Sequence, residues 1–229
     1  MAYDLDEQEQ LDQIKAFWAK WGNIITWALT AVALIVAAYY GWQLYQRNQA
    51  AKAAPFYEKL ETAVQANDYK KNAQLIKDTS ATLMNEYSRT AYAQIGALLA
   101  AKANVDGGDV AAAKAQLQWA ATNARDAEYQ MFAKVRLAGV LLDEKDTAGA
   151  LAALPSNPDK PYIAMVADRK GDILAAQDGK REEAITAYKD AYKALPLGAS
   201  QRGLIQQKLQ ILGAEAPVEE KITPKAESK

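Results

Sequence analysis

Neither cysteine nor histidine occurs anywhere in this chain of 229 residues. That pair of absences removes the thiolate nucleophile, the disulfide, the zinc site of nitrogen and sulfur ligands, and the imidazole base. Any catalysis would have to run on carboxylates, lysines or hydroxyls. Glycine (12) and proline (7) are sparse in a chain rich in alanine, a composition that favours helix. A dominant charge is missing as well: 27 basic residues face 28 acidic ones, and residues 21–212 carry a net charge of only +3. Nothing there supplies the clustered basic stripe that counterion release on a nucleic acid requires. The acidic pairs Asp143-Glu144 and Glu182-Glu183 are sequence neighbours that point to different parts of a helix surface, and they read as solvated faces. The run Asp106-Gly107-Gly108-Asp109 lacks both the Lys-Ser/Thr that follows a phosphate loop and the strand that precedes one, so it reads as a turn between helices. No catalytic residue, metal ligand or cofactor site is expected.

What the chain does have is a run of 26 residues without a formal charge, Trp21 to Gln46, between Lys20 and Arg47. As a helix it extends about 39 Å, enough for a hydrocarbon core of about 30 Å with some tilt. Trp21 and Trp27 lie toward one end and Tyr39, Tyr40, Trp42 and Tyr45 toward the other, the arrangement of aromatic belts at two interfaces. A cleavable signal peptide fits less well, because twenty residues with five acids precede a segment longer than an h-region. A core helix fits less well too, since the flanking sequence is polar on both sides. Orientation stays open. Lys15 and Lys20 precede the span and Arg47, Lys52 and Lys59 follow it, a count that leans faintly toward a cytoplasmic C-terminal domain.

The soluble part repeats. From Gly171 the chain runs Leu174, Ala184, Tyr188, Ala191 and Pro196, and the steps after Ala184 are those of the second helix of a tetratricopeptide repeat. The turn around Asp178-Gly179 is one residue longer than that pattern. An upstream copy places Leu137, Ala138 and Leu141 on a first helix and Ala150 and Leu154 on a second, which Pro155 cuts short. A further copy has Tyr92, Ile95, Gly96 and Leu99, then Ala113, Leu117 and Ala120. Small residues at the crossing let two helices approach closely, and stacked hairpins supply the cover that one hairpin lacks. Phe56, Tyr57, Leu60, Ala63 and Val64 have helical spacing and begin a degenerate first hairpin ending near Met84. Leu204, Ile205, Leu209, Ile211 and Leu212 form an amphipathic capping helix. The fold class is therefore all-α: one transmembrane helix followed by a tetratricopeptide repeat-like α-solenoid, with a generic helical bundle as the alternative. The domain reading is a short N-terminal segment (1–20), the span (21–46), the helical domain (47–212) and a tail (213–229) too poor in apolar residues to offset ordering entropy.

Several segments together carry a family resemblance. The acidic opening Tyr3-Asp4-Leu5-Asp6-Glu7-Gln8-Glu9-Gln10, then Ile14-Lys15-Ala16-Phe17-Trp18, Gly41-Trp42 near the exit of the span, and Val166-Ala167-Asp168-Arg169-Lys170-Gly171-Asp172 resemble the YfgM-type ancillary subunit of the bacterial SecYEG translocon. The resemblance covers residues 1 to about 212 and leaves the tail unaccounted for. It implies a single-pass inner-membrane protein with a cytoplasmic N-terminus and a periplasmic repeat domain. It also implies partners: the SecYEG translocon, a membrane-anchored periplasmic chaperone of the PpiD kind, and newly translocated polypeptides. The function so implied is a protein-binding scaffold and not an enzyme. In tetratricopeptide arrays the first helices line the concave groove, and this register maps Thr90, Ala93, Ala97, Phe132, Val135, Leu142, Met165, Asp168 and Asp172 onto it. Packing competes with binding for Phe132, Val135 and Leu142, because large apolar residues are more often buried than exposed. Two other readings stay open: an anchored scaffold for a different envelope assembly, and a cytoplasm-facing adaptor.

Overall fold

The computed structural model describes residues 3–217, with side chains from Glu9 onward. All regular structure among these residues is helical. The chain divides into two compact units, Met1–Lys52 and Ala53–Lys229, while the first helix, α1 (Tyr3–Gln65), runs through the division.

In the first unit the helix continues on both sides of the uncharged run. Residues 3–20 hold no glycine or proline and many glutamates, glutamines and alanines, all good helix formers. The helix is long and apolar enough to cross a membrane, and none of its most apolar window is buried within the protein. The two threonines of the uncharged run are satisfied internally: Thr26 donates to the Gly22 carbonyl and Thr30 to the Thr26 carbonyl, each at 2.8 Å. Neither therefore presents an unpaired donor to hydrocarbon. Lys20 lies 5.8 Å from the centre of the Trp21 ring, a cation-π contact at the charged border of the run.

The second unit stacks helical hairpins. The end of α1 packs on α2 (Tyr69–Glu86) through Leu60, Ala63, Ile76 and Leu83, and α3 (Ala91–Gly107) pairs with α4 (Val110–Asn123), α5 (Ala127–Asp143) with α6 (Thr147–Ala153), and α7 (Ile163–Ala175) with α8 (Arg181–Ala194). A last helix, α9 (Gln201–Ile211), packs on α8. Leu60, Ile76 and Leu83 centre the first core cluster, Leu117 the second, Ile173 the third, and Leu209 with Tyr188 the last. Much of the remaining core is alanine with no accessible surface, so close helix approach replaces side-chain bulk.

The turns inside the hairpins share one construction. A residue with positive φ stands just before the second helix each time: Asn67 (58°), Gly108 (87°), Lys145 (65°) and Gly179 (77°). At Gly108 and Lys145 the next amide reaches back to close a Schellman motif, Asp109 N to the Asn104 carbonyl (2.8 Å) and Asp146 N to the Leu141 carbonyl (2.9 Å). The following aspartate then caps its helix: Asp68 accepts from the Lys71 amide, Asp109 from Ala112 and Asp146 from Gly149. The fourth turn differs. Its extra residue puts Asp178 too early, the cap position falls to Lys180 without a side-chain bond, and Glu182 and Glu183 in the first turn face the helix dipole instead.

Leu-Pro pairs stop two of the second helices. Pro155 and Pro196 exclude helical geometry from the residue before them, and Leu154 (ψ 142°) and Leu195 (ψ 141°) are both extended. The stop falls after 14 residues in α8 but after only seven in α6. Beyond α9, Ala214 and Ala216 pack against the α7–α9 cluster, and the rest of the tail, from 218, lies outside the described residues.

Candidate protein-binding cleft

The first helices of three successive hairpins, α3, α5 and α7, together with Leu117 of α4, line a cleft of about 350 Å³. Ala101, Leu117 and Val140 form an apolar floor, and three cations and two carboxylates surround it: Lys102 and Asp106 from α3, Arg136 and Asp143 from α5, and Arg169 from α7. Helical spacing puts Phe132, Arg136, Gly139 and Asp143 on one stripe of α5, and Met165 with Arg169 on one stripe of α7.

Arg169 lines the cleft from α7. Its guanidinium crosses from α7 to lie against α5, where a Cβ added to Gly139 would sit 3.2 Å from Cζ. A side chain at 139 would make the guanidinium give way by a few tenths of an ångström. Nη1 of Arg169 pairs with Asp172 at 3.4 Å, while Nε is buried without a partner. Arg136 is exposed and forms no ion pair among the described residues. Lys102 is paired with Asp106 at 2.6 Å, which raises its pKa, while Arg136 acts in the opposite sense. Unsatisfied guanidinium hydrogens over an apolar floor suit main-chain carbonyls and carboxylates of a bound polypeptide. Among the described residues no group of three or more acids is placed to hold a metal ion.

Next to the cleft lies a charged junction between α7, α8 and α9. Lys208 Nζ donates to Oδ1 of Asp168 and of Asp172, both at 2.7 Å, and the Tyr188 hydroxyl donates to Asp172 Oδ1 at 2.9 Å. Burial raises the Asp168 pKa above the ordinary carboxylate range, outweighing the help of Lys208, and burial also pushes the Tyr188 hydroxyl up. Gly171 is required here, because a Cβ on it would come within 2.5 Å of the Tyr188 ring.

The expected groove residues scatter over three environments. Ala93 and Ala97 have no accessible surface, Thr90 is the buried N-cap of α3, and Val135 is buried, so these four belong to the core and not to a groove. Leu142 is half-buried against the α5–α6 core. Asp168 and Asp172 are brought together, but they are engaged by Lys208. Phe132 and Met165 are half-buried and lie on the stripes that carry Arg136 and Arg169. Sequence reasoning missed Arg136, Gly139 and Arg169. Each adjoins or lies near an expected residue, and one position is a rotation of about 100° around a helix. The available signal was Gly139 itself, a glycine inside an otherwise uninterrupted helix.

A helical repeat scaffold with an apolar N-terminal helix of membrane-spanning length is the class that this architecture defines. The family model described as a tetratricopeptide repeat-like domain matches residues 15–214. The chain is 31% identical over 212 residues to a protein of Neisseria gonorrhoeae named ancillary SecYEG translocon subunit, covering 93% of this chain and all of that one. Proteins of the same name from Haemophilus influenzae (30% identical; 79% of this chain, 86% of the relative) and Escherichia coli (26%; 82% and 88%) are also similar. No solved structure matches. The chain belongs to the tetratricopeptide repeat-like family of YfgM-type ancillary SecYEG translocon subunits.

Proposed function

We propose that this protein is an interaction scaffold of the bacterial inner membrane that works beside the SecYEG translocon and passes newly translocated chains to a periplasmic chaperone of the PpiD kind. The observation that carries the reading is the union, in one chain, of a span-length apolar helix and a repeat domain that together cover the full length of the Neisseria relative. The anchor confines the domain to a thin layer beside the bilayer, which raises its effective concentration near a membrane-embedded partner and lets weak contacts suffice. In this reading the span is residues 21–46, residues 1–20 are cytoplasmic and the domain from 47 to 212 is periplasmic.

The α3–α5–α7 cleft is the contact surface for translocated polypeptides. Phe132 and Met165 supply apolar contact, and Arg136 and Arg169 hold carbonyls and carboxylates. Asp168 and Asp172 act at one remove, by holding Arg169 and Lys208. The role needs no bond-making chemistry, in keeping with a chain that lacks thiol and imidazole.

Copurification in mild detergent tests the assignment: the full-length chain should bring SecY with it, and its failure to do so sinks the translocon reading. A photoreactive residue at 165 should crosslink to a translocating chain and lose that adduct on Arg136→Glu. The faint basic excess after the span favours a second reading, with the repeat domain in the cytoplasm. Protease added outside spheroplasts separates the two, because it digests the C-terminal domain only if that domain is periplasmic.

A further inference from the structure

The early stop of α6 leaves a second and larger opening, separate from the cleft. Helix α6 has seven residues where α4 and α8 have 14, so about 10 Å of helix is missing from this hairpin. The space is open: a groove of about 640 Å³ lies beside the truncated helix, walled by Leu151, Leu154, Ile163, Val166, Leu174 and Ala187. Pro155 makes this geometry part of the covalent chain, since Leu154 cannot continue the helix into the gap.

The rim of the groove is charged on one side. Glu183, Thr186 and Asp190 form a stripe along α8 at steps of three and four, and Lys170 of α7 is the one cation among the lining residues. Glu183 is held by Lys180 at 2.6 Å, whereas the Asp190 side chain is exposed and makes no hydrogen bond or ion pair among the described residues. We infer that this groove receives about two turns of an amphipathic helix from a partner polypeptide, standing where the rest of α6 would be, with its apolar face on the leucine wall and a lysine or arginine opposite Asp190. Missing helix length sets the shape, and the acidic rim selects a basic flank. A second copy of this chain is disfavoured as the occupant. Its C-terminal helix α9, which exposes Leu204 and Ile211, carries only Arg202 and Lys208 as cations, and both are engaged: Lys208 by Asp168 and Asp172, and Arg202 by the Leu195 carbonyl and the Tyr192 ring.

Site-specific photocrosslinking in native membranes tests this with the full chain. A photoreactive residue replaces Thr186, which is exposed on the rim, and adducts are mapped to single residues by mass spectrometry. The expected adduct lies on another polypeptide, in a segment with apolar residues at i, i+3 or i+4 and i+7 and with a basic residue beside them. Its yield should fall about fivefold in Asp190→Lys, be kept in Asp190→Glu and rise about twofold in Lys170→Glu, the scale of one rim charge pair. Because Lys170 and Asp190 stand on different helices and carry opposite charge, a general loss of folding would lower the yield in both reversals and would not move it in opposite directions. Adducts on a second copy, on this chain's own residues or on a segment without basic side chains overturn the inference. So do the absence of any adduct and a yield that ignores both charge reversals.

Discussion

Buried amides join the hairpins between α2 and α5, and charged groups join those between α7 and α9. In the first region Asn104 donates to Gln116 (2.8 Å), which donates to Ser80 (3.1 Å), so that one chain of neutral groups links α3, α4 and α2. Gln94 receives the amides of Arg125 (2.9 Å) and Asp126 (3.2 Å) and donates to the Asp126 carboxylate, fastening the start of α5. In the second region two carboxylates share one ammonium group across 36 and 40 residues of chain. Both arrangements satisfy polar atoms, but the first does so mainly with neutral amides and the second with paired charges. The ionic region adjoins both openings, since Arg169 touches Asp172 and lines the cleft while Leu174 lines the groove.

Removing the shared cation should separate the two regions most sharply. Lys208→Met leaves Asp168 and Asp172 mutually repelling in a site where each is only about a quarter exposed. Breaking a buried pair costs about 3–5 kcal/mol, and the residual exposure brings the expectation to about 2–3 kcal/mol at neutral pH. Urea unfolding of the full-length protein in detergent measures it, and part of the loss should return at acid pH, as Asp168, whose pKa burial raises, takes up a proton. A loss that is the same at both pH values would mean that Lys208 acts by packing alone.

Gln94→Ala is the neutral counterpart. It strands two amides at the α4–α5 turn, at a cost of about 2 kcal/mol. Between pH 5 and 8 that cost should be constant, which the same unfolding experiment reads directly. A marked pH dependence would show that the Asp126 carboxylate, not the amide, dominates the joint.

These joints also mark how far the sequence could be read. The span, the all-helical class and the repeat hairpins follow from features that act within one or two turns: an uncharged run, alanine spacing and proline stops. The cleft was less legible because it depends on helix rotation. Val135 is buried and its neighbour Arg136 is exposed, a difference that no count of apolar residues in so alanine-rich a helix can fix. The Lys208 contacts were not legible at all. A lysine in α9 and two aspartates in α7 are joined only by how α8 packs between them, and neither segment alone hints at the other.

A smaller effect isolates the proton. With the Asp168 pKa raised by burial, the folded state holds this proton more tightly than the unfolded chain does. Its contribution to stability is present in full below the ordinary carboxylate range and is lost as pH rises through the elevated pKa. Asp168→Asn should therefore change stability at neutral pH by less than about 1 kcal/mol, because the ionised form is already poorly solvated and Lys208 keeps Asp172. The variant should also lose the part of the acid-side slope that this residue supplies. A penalty near that of Lys208→Met would show instead that the ionised form of Asp168 is essential to the junction.

The mildest change tests the common construction of the turns. Of the four positive-φ positions, two are glycine and one is asparagine, which tolerates this conformation, so Lys145 (φ 65°) is the strained member. A side chain in left-handed geometry costs about 1–2 kcal/mol per residue, and glycine gives part of that back through its larger entropy loss on folding. Lys145→Gly should therefore stabilise the protein by about 0.5–1 kcal/mol, whereas Gly108→Ala, at φ 87°, should destabilise it by a similar amount. The opposite signs matter more than the sizes. Both turns close with the same back-reaching amide and the same aspartate cap, so if the two substitutions shift stability in one direction, the shared backbone geometry is not what holds these turns.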